Sequence, residues 1–168
     1  MKNLIIILSV FFILMQACQK IEKVDPVPEI KFKNFELENS SGDIGTYKGK
    51  LVFSFIDGDG DVGLFDYDTL NADSTLKYNL FLYPYKKIDS QYVEIDISHL
   101  EVPPFYRIGY DSKMDRVGQN KTLKGDVTLD IDYFEQKPFN SDTIRYEFYI
   151  VDRAGNQSNT EVTSDIGF

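Results

Sequence analysis

Three aspartates alternate with glycines in the segment DGDGD, residues 57–61, and this pattern is typical of a site for a hard cation. If the chain stays extended, its two-residue period turns Asp57, Asp59 and Asp61 to one side, about 7 Å apart. Like charges at that spacing repel each other, and a bound cation turns the repulsion into attraction. Carboxylate oxygens outside the cytoplasm favour calcium, which is therefore the ion that the pattern predicts.

The segment does not follow the EF-hand pattern. A twelve-residue loop that begins at Asp57 has Val62 where glycine is required and Asp68 where glutamate is usual. Asp66 and Asp68 lie close enough downstream to add further oxygen ligands. The residues leave a second interpretation open, in which the segment is a glycine-rich turn whose Asp side chains bond neighbouring backbone N–H groups.

A second turn with oxygen ligands runs from Asp152 to Asn156, directly after another predicted strand. In an immunoglobulin-like sandwich, the loop after the second strand and the loop before the last strand emerge at the same pole. We therefore expect Asp152 and Asn156 to lie near Asp57, Asp59 and Asp61, although about 90 residues separate the two segments. A cation bound by residues of both turns would join the two loops.

The single cysteine, Cys18, directly follows an apolar run over residues 4–15 that is preceded by Lys2. A basic start, a short apolar run and a small residue at the cut are the layout of an export signal. The run is shorter than the roughly 20 residues that a transmembrane helix needs. The sequence predicts a signal peptide over residues 1–17 and acylation of Cys18, whose fatty chains contribute about 0.8 kcal/mol per buried CH₂.

Residues 14–18, LMQAC, resemble the lipobox of bacterial lipoproteins. Ala17 fits the pattern, whereas Met15 stands where leucine is usual, so an ordinary secretory cut and an uncleaved anchor stay open as alternatives. Glu22 weakly resembles the acidic signal that sends such lipoproteins to the outer surface. The resemblance implies attachment to the bacterial outer membrane, on its periplasmic or cell-surface side.

Composition restricts the classes of partner. The chain has 27 acidic and 18 basic residues, and residues 1–17 carry only one basic and no acidic residue, so the net charge after their removal is −10. So acidic a chain is a poor partner for nucleic acid, whose phosphates need a basic surface. Residues 18–28 form the predicted tether, because Pro26 and Pro28 favour an extended linker that reaches about 30 Å.

Period-two alternation from Glu29 onward predicts strands, with a bulge near Asn34, and we find no helical periodicity outside the signal segment. The predicted strands cover residues 30–37, 51–56, 76–84, 93–97, 126–133, 144–151 and 158–166, with a short edge strand at 105–110. Seven or eight short strands predict an all-β fold, an antiparallel immunoglobulin-like β-sandwich over residues 29–168.

Two motifs, DGDGDVG at residues 57–63 and DRAGNQSN at residues 152–159, resemble uncharacterised Bacteroidetes-type surface lipoproteins with an immunoglobulin- or fibronectin III-like sandwich. That resemblance implies a location in the envelope and a sandwich fold, and it transfers no catalytic residue. Thr69 and Ser74 follow aspartates in short patterns that resemble the O-glycosylation sites used in such bacteria.

Catalytic chemistry is not expected, because the one histidine, His99, has no cysteine, metal cluster or nucleophile motif around it. The predicted function is a membrane-anchored, non-catalytic binding or structural module of an envelope protein complex, stabilised by calcium. The alternative is a carbohydrate-binding accessory protein of nutrient uptake, with Tyr83, Tyr85, Tyr106 or Tyr110 stacking on sugar rings. The absence of tryptophan counts against this glycan-binding alternative.

Overall fold

A computed structural model describes residues 24–39, 47–66, 77–114 and 121–168. The predicted signal peptide, Cys18, Asp68, Thr69 and Ser74 lie outside these ranges, so their predictions stay predictions.

Nine strands form in the described residues, and two of the connections between them contain short 3₁₀ turns at Ser112–Met114 and Pro138–Asn140. In chain order the strands are β1 (Glu29–Asn39), β2 (Tyr47–Asp57), β3 (Leu80–Ile88), β4 (Gln91–Glu94), β5 (Phe105–Tyr106), β6 (Leu123–Tyr133), β7 (Thr143–Ile150), β8 (Glu161–Val162) and β9 (Ile166–Gly167).

The strands build two antiparallel sheets. One sheet has the order β1-β2-β6, and the other has the order β4-β3-β7-β8, with β5 paired to β3 and β9 paired to β7. The predicted bulge is confirmed, since the register of β1 against β2 shifts between Phe32 and Asn34. An extra residue at this point increases the local twist of the strand.

Alternating burial in β2, β6 and β7 confirms the faces predicted from the sequence. In β7 the side chains of Ile144, Tyr146, Phe148 and Ile150 are buried, whereas their neighbours are partly exposed. In β6 the carboxylates of the Asp residues point to solvent, and every second residue points inward. A two-residue period has this result whenever one face of a sheet is buried.

The two sheets pack face to face around one hydrophobic core. The ring centroids of Phe53 on β2 and Phe148 on β7 are 5.3 Å apart, and the hydroxyls of Tyr133 on β6 and Tyr146 on β7 are 3.1 Å apart. The fold is therefore all-β and antiparallel, with the layers of a β-sandwich, as predicted. Its immunoglobulin-like topology stays a prediction.

The third strand is shifted along the chain relative to the predicted range 76–84, because β3 begins at Leu80 and continues through Pro84 to Ile88. The carbonyl oxygen of Pro84 accepts a hydrogen bond from the N–H of Ile95, so the backbone of Pro84 faces the β4 side of the sheet. The missing N–H of proline therefore removes no bond from the ladder between β3 and β7.

Other strand bounds also differ from the prediction. β4 ends at Glu94 and β5 has only two residues. The strand predicted over residues 158–166 is two short strands, β8 and β9, which pair with different parts of β7. Between them Thr163 turns inward, and its hydroxyl accepts a bond from the N–H of Tyr146, replacing one rung of the ladder.

Candidate metal centre

The aspartate–glycine segment begins at the buried end of β2. Asp57, the last residue of that strand, has no solvent exposure, and its Oδ2 accepts a hydrogen bond of 2.7 Å from the N–H of Asp61. Gly60 adopts a positive φ of 76° that side chains rarely tolerate. The chain therefore curls back at Gly60, so that Asp59 is exposed while Asp61 is partly buried.

The second predicted turn also begins on a buried carboxylate. Asp152 has no solvent exposure, and its two oxygens accept bonds from Asn156: Oδ1 from the backbone N–H at 2.7 Å and Oδ2 from the side-chain amide at 2.8 Å. The N–H of Asp152 donates to the carbonyl of Asn156 in return. Asn156 therefore acts as a clamp on Asp152 and holds the turn closed.

The two turns meet, as expected from their positions after β2 and β7. The carbonyl oxygen of Asp61 accepts a bond from the N–H of Arg153 at 3.2 Å, and its Oδ2 accepts one from the N–H of Ala154 at 3.1 Å. One carboxylate oxygen from each of four residues then lies within 4.8 Å of the others: Asp57, Asp59, Asp61 and Asp152. We call these four residues the acidic cluster.

Burial and repulsion between carboxylates raise the pKa of two residues in the acidic cluster. Burial raises the pKa of Asp57 to about 7, with smaller increases from the charges of Asp59 and Asp61 and an opposing effect from the bond donated by the N–H of Asp61. Burial also raises the pKa of Asp61 to about 6, with the charge of Asp152 as the next contribution. Both shifts therefore arise first from burial and then from neighbouring carboxylates, and the charge of Arg153 offsets only part of the shift of Asp61.

Two residues predicted as ligands lie outside the acidic cluster. The carboxylate of Asp66 is exposed and pairs with the guanidinium of Arg107 at 3.0 Å. Asn156 is next to the cluster, but its amide nitrogen is directed at Asp152, so it orients the carboxylate of that residue. Asp68 lies outside the described residues.

A third segment, which contains Asp25 and was not expected there from the sequence, reaches the same end of the sandwich. The N–H of Gly58 donates to the carbonyl oxygen of Asp25 at 2.9 Å, and a Cβ on Gly58 would overlap the carbonyl oxygens of Val24 and Asp25. The last part of the predicted tether thus packs on the cluster loop. No sequence pattern signals this contact, because it runs through backbone atoms.

A groove of about 350 Å³ lies elsewhere, lined in part by His99, Leu100, Phe134 and Phe139. It also contacts Tyr133, which pairs with the first residue of β2, so it lies at the opposite end of the sandwich from Asp57. His99 is exposed there, and the lowered pKa of the nearby Asp96 is due first to hydrogen bonds from Ser98. This arrangement is that of a solvated loop histidine.

Aromatic side chains occupy the outer face of the second sheet. Phe81 and Tyr149 are stacked with ring centroids 5.2 Å apart, Tyr83 and Tyr149 are stacked at 6.0 Å, and Phe105 packs against Phe81 at 5.0 Å. We call these four residues the aromatic face.

The four tyrosines predicted to stack on sugars occupy three different environments. Tyr83 and Tyr85 lie on the outer side of β3, on the same face as Phe81, and are partly exposed. Tyr106 instead packs against the hydrophobic core. The ring of Tyr110 lies 4.4 Å from that of Phe65. Only Tyr83 and Tyr85 therefore share a surface.

Comparison with protein-family models, with curated proteins and with solved structures gives no match for this chain. The resemblance of its motifs to surface lipoproteins therefore stays a prediction. None of the helical turns among the described residues has the length and apolar character needed to cross a membrane.

Proposed function

We propose that this chain is a lipid-anchored, non-catalytic binding or structural module of the bacterial envelope, held on the outer membrane through Cys18. The observation that carries the proposal is the lone cysteine at the end of an apolar export segment, only eleven residues before β1 begins at Glu29. The tether residue Asp25 is hydrogen-bonded to Gly58, so the sandwich starts almost directly where the anchor segment ends.

Buried polar side chains support a structural role, because they bond backbone groups. Asn79 is fully buried, donates to the carbonyl of Val62 and accepts from the N–H of Ile108. Ser158 accepts from the N–H of Ile150 and donates to the carbonyl of Asn159. Groups committed to the backbone in this way hold loops in place.

The anchor is tested with Cys18→Ser, expressed in a bacterium that processes lipoproteins. We expect the wild-type protein to incorporate labelled palmitate and to fractionate with the outer membrane, since several acyl chains give stable attachment. Cys18→Ser should lose the label and leave the membrane fraction. The matched control is Ser9→Ala, a small change inside the apolar run, which should keep both. Normal processing and unchanged fractionation of Cys18→Ser would refute the anchor.

A carbohydrate-binding role is the second candidate, and the aromatic face favours it. Tyrosine rings offer an apolar surface with a polar hydroxyl, which suits contact with sugars. A glycan array probed with the purified protein tests this candidate. Reproducible binding that is lost in Tyr83→Ala and kept in Phe134→Ala, an exposed ring that follows β6 of the other sheet, would support it. An array without binding leaves the structural module as the function.

A further inference from the structure

We propose that the acidic cluster of Asp57, Asp59, Asp61 and Asp152 is a calcium site that joins the loops after β2 and β7. A buried oxygen atom without a hydrogen-bond partner supports this proposal. Oδ1 of Asp57 is buried and accepts no hydrogen bond among the described residues, on a side chain with no solvent exposure. A buried carboxylate oxygen without a partner is costly, and a cation among the four carboxylates would supply that partner.

The acidic cluster also concentrates negative charge, because it brings four carboxylates together. Oδ1 of Asp61 is also buried without a hydrogen-bond partner, so two orphaned oxygens occur in one group of four carboxylates. The charge of the neighbouring Arg153 lowers the pKa of Asp61 and so offsets part of the repulsion, while its guanidinium carbon lies 4.1 Å from the centroid of the Phe65 ring. Nη1 of Arg153 is itself buried without a partner among the described residues. One arginine thus faces four carboxylates, which leaves net negative charge in the acidic cluster.

The spacing and the chemistry of the ligand atoms indicate which ion the cluster would bind. Calcium binds oxygen at 2.3–2.6 Å, so two oxygens on one ion can be at most about 5 Å apart. The corresponding limit for magnesium is about 4.2 Å, because its bonds are shorter. The ligand oxygens here lie within 4.8 Å of one another. That spread is within the reach of calcium, whose coordination geometry is flexible, whereas magnesium demands a near-ideal octahedron. An all-oxygen set also disfavours softer transition metals.

Calcium at this position would hold three segments together. Asp57, Asp59 and Asp61 belong to the loop after β2, Asp152 belongs to the loop after β7, and Gly58 binds the tether through the carbonyl of Asp25. The ion would thus stabilise the end of the sandwich at which the tether arrives.

The test is calorimetric titration of the full-length protein in detergent with calcium chloride, after removal of metals, together with melting in calcium and in EGTA. We expect one calcium ion per chain and a Tm that rises by about 5–10 °C at a calcium concentration 100-fold above Kd. Magnesium should bind more weakly. No heat and no change in Tm at millimolar calcium would overturn the proposal.

The informative variant is Asp59→Asn, because Asp59 is the exposed member of the cluster and its loss leaves the bonds of Asp57 and Asp152 in place. We expect calcium affinity to fall about tenfold or more, while the Tm in EGTA stays equal or rises, since one repelling charge is removed. Asp130→Asn, an exposed carboxylate on β6, is the charge-matched control and should leave calcium binding unchanged. Calcium binding that persists unchanged in Asp59→Asn would overturn this ligand set.

Membrane fractionation of Cys18→Ser does not depend on calcium. A negative calcium titration would therefore overturn the calcium site without affecting the proposed lipid anchor, and the reverse also holds.

Discussion

At the scale of single residues, Asp57 combines two opposing demands. As the last residue of β2 it has no solvent exposure, and its Oδ2 closes the loop by accepting the bond from Asp61. Burial next to other carboxylates nevertheless raises its pKa to about 7. In the protein without metal, this residue therefore holds the loop in place at an electrostatic cost.

That cost predicts a pH dependence in EGTA. Because the pKa of Asp57 is about 7 in the folded protein and 3.8 is its ordinary value, the folded state retains a proton that the unfolded state has lost between these values. The stabilising contribution is complete below about pH 4 and is lost as the pH rises through about 7. We expect the Tm of wild type minus that of Asp57→Asn to fall between pH 5 and pH 8.

Thermal melts of both proteins in EGTA at intervals of half a pH unit check this dependence. Asp130→Asn, measured in parallel, controls for removal of an acidic charge from the surface. A difference for Asp57→Asn that stays flat or grows with pH would contradict a raised pKa of Asp57 in the folded state.

At the scale of elements, side chains protect the free edge of β1. Oδ1 of Asn159 accepts from the N–H of Ile30 at 2.8 Å, and its Nδ2 donates to the carbonyl of the same residue at 3.0 Å. Two residues further along this edge, the carboxylate of Glu161 accepts a hydrogen bond from the N–H of Phe32. These two side chains bond β1 as a neighbouring strand would, and they join the two sheets at this edge.

We therefore expect Asn159→Ala to lower the free energy of unfolding by about 1–3 kcal/mol, since it leaves the N–H and carbonyl of Ile30 without partners. Ile30 is only 2% exposed, so water replaces these bonds poorly. Asn34→Ala is the matched control: its side chain bonds Glu36 on the exposed part of the same strand, and its effect should stay below about 0.5 kcal/mol. Urea unfolding measures both, and equal effects would contradict the role of Asn159.

At the scale of the whole molecule, aromatic side chains hold the two sheets together. Phe148 on β7 is fully buried and contacts Phe53 on the opposite sheet, with the ring of Phe32 6.5 Å away. With a single cysteine in the chain, no internal disulfide can replace this burial. The stability of the sandwich thus depends on packing between the sheets.

For Phe148→Ala we expect a loss of about 3–5 kcal/mol in the free energy of unfolding, from lost burial and the cavity that remains. Phe134→Ala removes the same ring from a position that is 83% exposed, and its effect should be within about 0.5 kcal/mol. Chemical denaturation distinguishes the two. Similar losses would mean that the core between the sheets is not the main source of stability.

Much of the fold could be predicted because strand faces follow a short-range pattern. The alternation in β2, β6 and β7 reveals which residues are buried, and the bulge near Asn34 interrupts the same pattern. The bounds of β3 could not be predicted, because Pro84 is tolerated only where its missing N–H faces away from β7. The split of the last strand likewise depends on Thr163 replacing a rung, which requires β7 beside it.

Three features could be read from the amino-acid sequence alone, since they follow from neighbouring residue types: the strand faces, the placement of three aspartates in one loop and the position of Cys18. The approach of Asp152 to that loop was expected from an assumed sandwich topology. The pairing of Asp66 with Arg107, and the bonds of Asn159 to β1 across 129 positions, became visible only in the folded protein. The physical reason is that contacts between distant segments depend on how strands pair and sheets pack, and a local pattern of side chains does not encode those distances.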